Sequence, residues 1–418
     1  MFGFGKKRKI VKGVNEMVSS VALQKKALYG PDVNLDEFKP DLTGGACLSD
    51  LEHLPEDTKK TLEMVGIDPK MEKRSGTYIQ NGNMVDFCFN KDQDVMIMPI
   101  PEALEKFDWL KDYLWKAVDP EADKYTAAVA IEKNIQGYFI YAKKGAKSIY
   151  PLQSCLFTQI DGFKQIVHNI VIAEEDSELN IITGCTVHGK ARKALHLGVS
   201  EFFVKKNAKI TFTMVHQWQE ASEVRPRTGV MIEEGGTFIN NYVVMSPVKS
   251  LQSNPKFFLK GPNSHIYSQT LIYGKETAFY DLGGEAHLLG DNCSAELISR
   301  IVGTQKSQIT SRGKIIGIGK GSKGHLECSG LLLSPESAII AIPILEARNP
   351  DITMTHEASV GKISDIEIQY LQARGLPEEE ARGLIIRGFL EANTNNLPET
   401  LARETERLIQ AVADSEMA

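Results

Sequence analysis

The sequence predicts a mainly β protein whose long all-β centre lies between two helical ends. The first 75 residues space their apolar side chains three and four apart, as amphipathic helices do, and this spacing returns after Pro343. From Tyr125 to Pro343 the chain instead shows short runs rich in Ile, Val, Phe and Thr, separated by Gly, Asn, Lys and Ser. We therefore expect a mostly helical N-terminal domain, an all-β core and a helical C-terminal domain, covering residues 1–124, 125–345 and 346–418.

Three helices are predicted in the N-terminal domain. The second covers roughly Asp50 to Val65 and the third Glu102 to Val118, whereas the first carries an apolar stripe of Ile10, Val11, Val14, Met17, Val18 and Val21. Five basic residues lie within the first twelve positions, at Lys6, Lys7, Arg8, Lys9 and Lys12. They form either the solvated start of a helix or an arm that docks an acidic partner.

The all-β centre repeats a short pattern in which a turn cluster is followed by a small residue, any residue and an apolar one. The spacing between repeats falls from 31 to 14 residues, a drift that a fixed-period array would not show. A parallel β-helix tolerates it, because loop lengths differ between turns while each strand still presents a small residue near a corner. A large sandwich or barrel is the alternative. The repeats are Ser177-Glu178-Leu179, Ala208-Lys209-Ile210, Gly236-Thr237-Phe238, Ser264-His265-Ile266, Ala286-His287-Leu288, Ser307-Gln308-Ile309, Gly324-His325-Leu326 and Ala338-Ile339-Ile340.

After one last extended piece, Ile352 to Val360, the chain is predicted to form three helices. Ser364 with Glu367 starts the first helix as a capping box, and Gly375 before Pro377 marks the passage to the second. The third begins at Pro398. The second carries its apolar face at Ala381, Leu384, Ile385, Gly388 and Phe389, and we expect at least two of Leu384, Ile385 and Phe389 to pack in the chain's own core.

Composition limits the classes of function. The chain has 418 residues, of which 42% are hydrophobic and 24% charged, and its net charge of −6 provides no general attraction for nucleic acid or anionic membranes. No signal-peptide run follows the basic start, and no stretch reaches the length of a spanning helix, so we expect a cytoplasmic protein. The cysteines form no CxxC pair, which argues against a disulfide framework or a zinc ribbon; they are Cys47, Cys88, Cys155, Cys185, Cys293 and Cys328.

Two extended segments hold the candidate site residues, whereas P-loop, GxSxG and HExxH motifs are absent. In the first segment, alternation places Cys328 on the face of Leu326, where a buried structural cysteine is the simplest interpretation. In the second segment, alternation places His356 on the apolar face, where a hydrogen-bonded structural role is expected. It places Glu357 on the polar face, where Glu357 is either a solvated acid or an oxygen ligand.

Residues near the C-terminus resemble a known signature. Arg348-Asn349-Pro350, His356-Glu357-Ala358, Tyr370-Leu371, Arg374-Gly375 and Gly388-Phe389 are similar to the carboxy-terminal signature of the SufB/SufD family, core subunits of the SUF iron–sulfur cluster assembly machinery. The resemblance covers about Tyr125 to Leu408. It implies a right-handed parallel β-helix flanked by helical domains, dimerisation through the β-helix, and a SufC-type ABC ATPase held by the C-terminal helices at residues 364–390.

The resemblance also implies a cluster site. In SufB-type chains the nascent cluster is associated with a cysteine late in the β-helix and a glutamate in the His-Glu-Ala motif, which match Cys328 and Glu357. SufD-type chains generally lack this pair, so the chain resembles SufB. It departs from longer SufB chains by lacking an N-terminal cysteine cluster and any cysteine between Cys185 and Cys293, where a sulfur-entry cysteine would be sought. Its length resembles reduced systems in which a SufB-like homodimer needs no SufD; a heterodimer with a SufD-like chain is the alternative.

Ligand chemistry agrees with this resemblance. A cluster needs several ligands, usually thiolates, and a two-fold interface would bring together two Cys328 thiolates and two Glu357 carboxylates. Because carboxylates bind cluster iron more weakly than thiolates, such a cluster would be labile. We expect a [2Fe–2S] or [4Fe–4S] cluster on Cys328 and Glu357, with His356 a weaker candidate ligand, and ATP bound only by the partner subunit.

The sequence therefore predicts a scaffold, and not an enzyme, that builds a cluster and transfers it to acceptor proteins with an ABC-type ATPase partner. No nucleic-acid or membrane partner is expected. Two other hypotheses stay open at this point. One is a β-helix enzyme that processes polysaccharide, which no secretion signal supports, and the other is a cytoplasmic β-helix protein that only docks partners.

Overall fold

The computed structural model describes residues 18–39, 51, 54–70, 72–187 and 191–391. Helices in these ranges are short: α1 Glu56–Glu63, α2 Ile100–Lys106, α3 Lys124–Ala130, α4 Asp365–Gln372 and α5 Glu378–Glu391, with 3-10 segments at Ala22–Gln24, Leu35–Glu37 and Asp108–Tyr113. The strands are β1 Gly76–Asn81, β2 Met84–Asn90, β3 Val95–Pro99, β4 Tyr138–Ala142, β5 Leu152–Thr158, β6 Phe163–Ala173, β7 Glu178–Val187, β8 Ala194–Val204, β9 Lys209–Gln217, β10 Glu223–Val224, β11 Arg227–Ile232, β12 Thr237–Val244, β13 Ser250–Ser253, β14 Lys256–Leu259, β15 His265–Gly274, β16 Phe279–Leu288, β17 Ser294–Gly303, β18 Gln308–Gly317, β19 Lys323–Leu332, β20 Ala338–Ala347 and β21 Thr353–Gly361. No helix in the described ranges is long and apolar enough to cross a membrane.

The strands form two long sheets that face each other across one core. Sheet I has the order β2-β1-β5-β7-β9-β12-β15-β17-β19-β21, and sheet II runs β3-β4-β6-β8-β11-β14-β16-β18-β20, with β10 and β13 paired between β8 and β16. Only the outer pairs β1–β2 and β3–β4 are antiparallel among the described strands. The chain alternates between the sheets and builds a parallel β-solenoid of about eight turns. This confirms the predicted fold class and rules out the sandwich or barrel.

The alternation between sheets explains the uneven spacing of the sequence pattern. Neighbouring strands within sheet I begin 28 to 31 residues apart, as paired residues on successive turns show. Up to Ser264 the pattern marks consecutive strands of sheet I, and later it marks strands of both sheets, which halves the spacing. One repeat was assigned wrongly, because Ala286-His287-Leu288 ends strand β16 instead of starting a strand.

The turns that lead from sheet II into sheet I share one backbone feature. The second residue before each of six sheet I strands has a positive φ angle; these residues are Asp176, Asn207, Gly235, Asn263, Asn292 and Gly321. Glycine adopts this left-handed conformation at no steric cost, and Asn and Asp tolerate it better than other residues. The requirement accounts for the Asn- and Gly-rich clusters that separate the apolar runs.

The N-terminal part contains less helix than the sequence predicts. The stripe residues up to Met17, and Cys47, lie outside the described ranges, and the second helix shortens to α1. The domain boundaries at 124 and 345 stay predictions, but strands β1 to β3 already belong to the sheets. The chain also forms helix α3 where an all-β region was expected, because the Asp123 side chain and Thr126 make a capping box at its start.

The predicted helix from Glu102 to Val118 is wrong beyond Lys106. The buried carboxylate of Glu201, on strand β8, accepts hydrogen bonds from the backbone N–H groups of Trp115, Ala117 and Val118 at 2.6, 2.6 and 3.2 Å. These bonds hold the segment flat against sheet II in place of a continuing helix.

The predicted C-terminal helix pair is confirmed as α4 and α5. Ser364 stands at the N-cap of α4 but makes no side-chain cap, whereas Gly375 has the positive φ of 97° expected after a helix. Both helices pack on the outer face of sheet I, where Ile385 and Phe389 contact a buried cluster and Leu384 stays exposed, as expected for two of the three. The third predicted helix, from Pro398, lies outside the described residues.

Candidate functional site

Cys328 lies on β19, one turn before the last strand of sheet I, and its side chain points into the solenoid. It belongs to the apolar core and only 9% of its surface is exposed. Its neighbours in the register are Ser299 on β17 and Ala358 on β21. The predicted placement on the buried face of Leu326 is therefore confirmed.

A small cavity adjoins Cys328 inside the last turns. Its volume is about 20 Å³, and its wall includes Ser299, Ser311, Gly313 and His356. This space holds roughly one water molecule. His356 is exposed and has no hydrogen-bond partner among the described residues, in contrast to the structural role expected from the sequence, because no further described turn covers strand β21.

The surroundings of Cys328 favour the neutral thiol. Burial is the main reason that the pKa of the Cys328 thiol is raised, and the charge of Glu327 raises it further. A hydrogen bond with Ser311 and the charge of Arg300 act in the opposite direction. A metal ion that binds this sulfur must therefore displace its proton.

Glu357 lies on β21 directly opposite Glu327 of β19. Both carboxylates project from the outer face of sheet I, and Glu357 is exposed. Neighbouring strands are about 4.8 Å apart, so the two side chains start close together. The structure thus brings Cys328 and Glu357 onto paired strands, but on opposite faces of the sheet.

Arg300, on β17, compensates one of these two carboxylates. Its Nη1 forms an ion pair with Glu327 Oε1 and donates a hydrogen bond to Ser329 Oγ at 2.7 Å. Within the described part of the chain no lysine or arginine pairs with Glu357. Glu357 is therefore the carboxylate left available to a cation.

The strands that carry these residues end the solenoid with free edges. Within the described residues, β20 pairs only with β18 and β21 only with β19. Three large apolar side chains on these strands, Ile340, Ile344 and Val360, are exposed by 53%, 44% and 41%. An unpaired edge with apolar side chains is a template for pairing with another chain.

One chain does not assemble a complete metal site. No group of three or more His, Cys, Asp or Glu side chains suited to a metal occurs among the residues that the structure describes. Cys155, Cys185 and Cys293 are buried on earlier turns, and Cys185 Sγ lies 3.7 Å from Met214 Sδ. A multi-ligand site at Cys328 therefore requires a second set of side chains.

Sequence reasoning missed the contacts of Arg300 and the pairing of Glu327 with Glu357. Strands β17, β19 and β21 follow one another at 29 or 30 residues, which aligns Arg300 with Ser329 and Glu327 with Glu357. The period of sheet I was the signal that could have found both contacts.

Comparison with known proteins agrees with this architecture. The family model described as "SUF system FeS cluster assembly, SufBD core domain" matches residues 156–389, more than half of the chain. An iron-sulfur cluster assembly SufBD family protein of Methanothermobacter thermautotrophicus is 46% identical over 394 residues, which cover 93% of this chain and 96% of the relative.

Two further relatives extend the comparison. A SufBD family protein of Archaeoglobus fulgidus is 45% identical over 352 residues, covering 84% of this chain and 94% of the relative. The iron-sulfur cluster assembly protein SufB of Bacillus subtilis is 28% identical over 370 residues, covering 86% and 78%. The identity and the coverage show the family: this chain belongs to the SufBD family of iron–sulfur cluster assembly proteins.

Proposed function

We propose that this chain is a scaffold on which an iron–sulfur cluster is built, with Cys328 and Glu357 as ligands of the nascent cluster. The observation that carries the proposal is the position of both residues on paired strands beside the free edges of the solenoid. Membership in the SufBD family supports the general role in cluster assembly. It also favours this function over a polysaccharide enzyme or a protein that only docks partners.

Two copies of the chain complete the ligand set in this proposal. Cys328 faces inwards and Glu357 outwards, so a second chain that meets β20 and β21 at their edges supplies further thiolate and carboxylate groups. His356 borders the cavity next to Cys328 and is a third candidate ligand. A [2Fe–2S] or [4Fe–4S] cluster with such mixed ligands is held loosely enough to pass to acceptor proteins.

The C-terminal helix pair is the proposed contact for a SufC-type ATPase in the cytoplasm. Ile366 and Tyr370 of α4 and Leu384 of α5 are exposed, while the opposite sides of both helices pack on sheet I. ATP binds to that partner, and movement of the partner reaches the solenoid through α4 and α5.

Anaerobic reconstitution with iron(II) and sulfide tests the proposal. The parent protein and Cys293→Ser, a matched change at another buried cysteine, are expected to bind iron and sulfide and to show a cluster absorption spectrum. Cys328→Ser is expected to lose most of both. Equal iron and sulfide in Cys328→Ser and the parent would overturn the assignment of Cys328.

A further inference from the structure

Arg300 stands between strand β19 and helix α5. On one side its Nη1 pairs with Glu327 and donates to Ser329 Oγ at 2.7 Å. On the other side its guanidinium carbon lies 5.9 Å from the centre of the Phe389 ring, within the range of a cation–π contact. The Arg300 side chain is only 15% exposed, and its Nε is buried without a hydrogen-bond partner. Arg300 therefore touches the helix and the strand at the same time.

Helix α5 is seated next to Arg300 by its apolar side. Ile386 and Leu390 of α5 are buried in one cluster with Val302 of β17, and Phe389 packs against that cluster. Val302 lies two residues from Arg300 and projects from the same face of β17. The position of α5 therefore decides whether an aromatic ring covers the guanidinium.

We propose that Arg300 is a positioning residue that transmits the position of helix α5 to the strand bearing Cys328 and to the Glu327–Glu357 pair. The inference rests on the proposed function, in which α4 and α5 hold the ATPase and Cys328 and Glu357 hold the cluster. It adds the physical connection between these two sites.

The connection works through shielding of the ion pair. While Phe389 covers Arg300, water is kept away from the guanidinium, and the ion pair with Glu327 is strong. When α5 moves away, water reaches Arg300, the side chain regains freedom, and the ion pair weakens. Glu327 is then released beside Glu357, and β19 loses one of its ties next to Cys328. Displacement of α5 thereby loosens the hold on cluster iron.

A double-mutant cycle on the full-length chain tests this connection. After anaerobic reconstitution with iron and sulfide, the rate of iron release to a chelator is measured for the parent, Phe389→Leu, Arg300→Gln and the double variant. Each single change should speed release about two- to fivefold, and the double variant should match Arg300→Gln alone. Phe389→Tyr keeps the ring and should behave like the parent, whereas Arg300→Lys keeps the charge but not the planar group and should not restore the slow rate.

Leu384→Ala, on the exposed side of α5, is the matched control and should leave the rate unchanged. Additive effects of Phe389→Leu and Arg300→Gln would overturn the inference. Amide hydrogen exchange of the apo protein provides an arm that needs no cluster: Phe389→Leu should speed exchange at residues 323–332 in the parent but not in the Arg300→Gln background. A parent that binds no iron and sulfide contradicts the proposed function, whereas unchanged exchange in Phe389→Leu contradicts the role of Arg300.

Discussion

Cys328 and Glu357 lie on paired neighbouring strands, yet their side chains leave sheet I from opposite faces. In the register Cys328 is matched by Ala358, and Glu357 by Glu327. A thiolate on the inner side and a carboxylate on the outer side meet most readily where the sheet ends, at the free edge of β21. This relationship is the reason that we place cluster assembly between two chains.

The two outer-face glutamates should respond differently to substitution. Glu357→Gln is expected to keep the free energy of unfolding within about 0.5 kcal/mol of the parent, because Glu357 is exposed, but to weaken or change the cluster spectrum. Glu327→Gln should cost about 1 kcal/mol, because it breaks the ion pair with Arg300. Thermal unfolding and the absorption spectrum after reconstitution measure both effects. A clearly less stable Glu357→Gln with an unaltered spectrum would assign Glu357 a structural role.

The apo chain should be a homodimer without metal. Ile340 and Ile344 are exposed on the edge strand β20, so Ile340→Lys with Ile344→Lys should shift sedimentation at micromolar concentration towards the monomer. Ile149→Lys changes an equally apolar, exposed residue before β5 and should leave the dimer intact. A parent that sediments as a monomer, alone and with its ATPase partner, would remove the two-chain site. Pairing only with a SufD-like chain would favour the heterodimer.

Binding of the ATPase should depend on the exposed side of the helix pair. Deleting residues 364–418 should abolish capture of the ATPase in a pull-down, but it also uncovers the apolar cluster under the helices. Tyr370→Asp with Leu384→Asp is therefore the sharper test, because both side chains are exposed. Leu289→Asp, at an exposed position of sheet II, is the control. Full-strength capture by the double variant would contradict the assignment.

Acid should destabilise the solenoid through a buried histidine. Burial lowers the pKa of His196 to about 4, and Gln165 Oε1 lies 2.9 Å from its Nδ1. The unfolded chain binds this proton below about pH 6.5 and the folded chain only below about pH 4, so stability falls as the pH falls between these values, by up to about 3 kcal/mol. His196→Gln should therefore lose about 2–3 kcal/mol less between about pH 7 and pH 4.5 in denaturant unfolding. The same loss in parent and variant would contradict the prediction.

The N-terminal helices were the part that sequence patterns predicted least well. The apolar spacing from Glu102 to Val118 is helical, but Glu201, 84 residues after Ala117, binds the backbone N–H groups there and ends the helix early. Helical spacing reports only local preference, and a buried carboxylate from a distant strand outweighs it. The strand triplet at Ala286 failed for a related reason, since a small residue before an apolar one also fits the end of a strand.

The sequence by itself determined the solenoid, the helix pair α4–α5, and the faces on which Cys328 and Glu357 lie. These features follow from strand alternation, left-handed turn residues and helix punctuation, which act over a few neighbouring residues. Only the tertiary structure decided that Glu327 faces Glu357, that Arg300 joins Phe389 to β19, and that β20 and β21 end the described sheets with free edges. Contacts between turns about 30 residues apart depend on the length of every intervening loop, because a slip of one residue would turn each side chain to the other face.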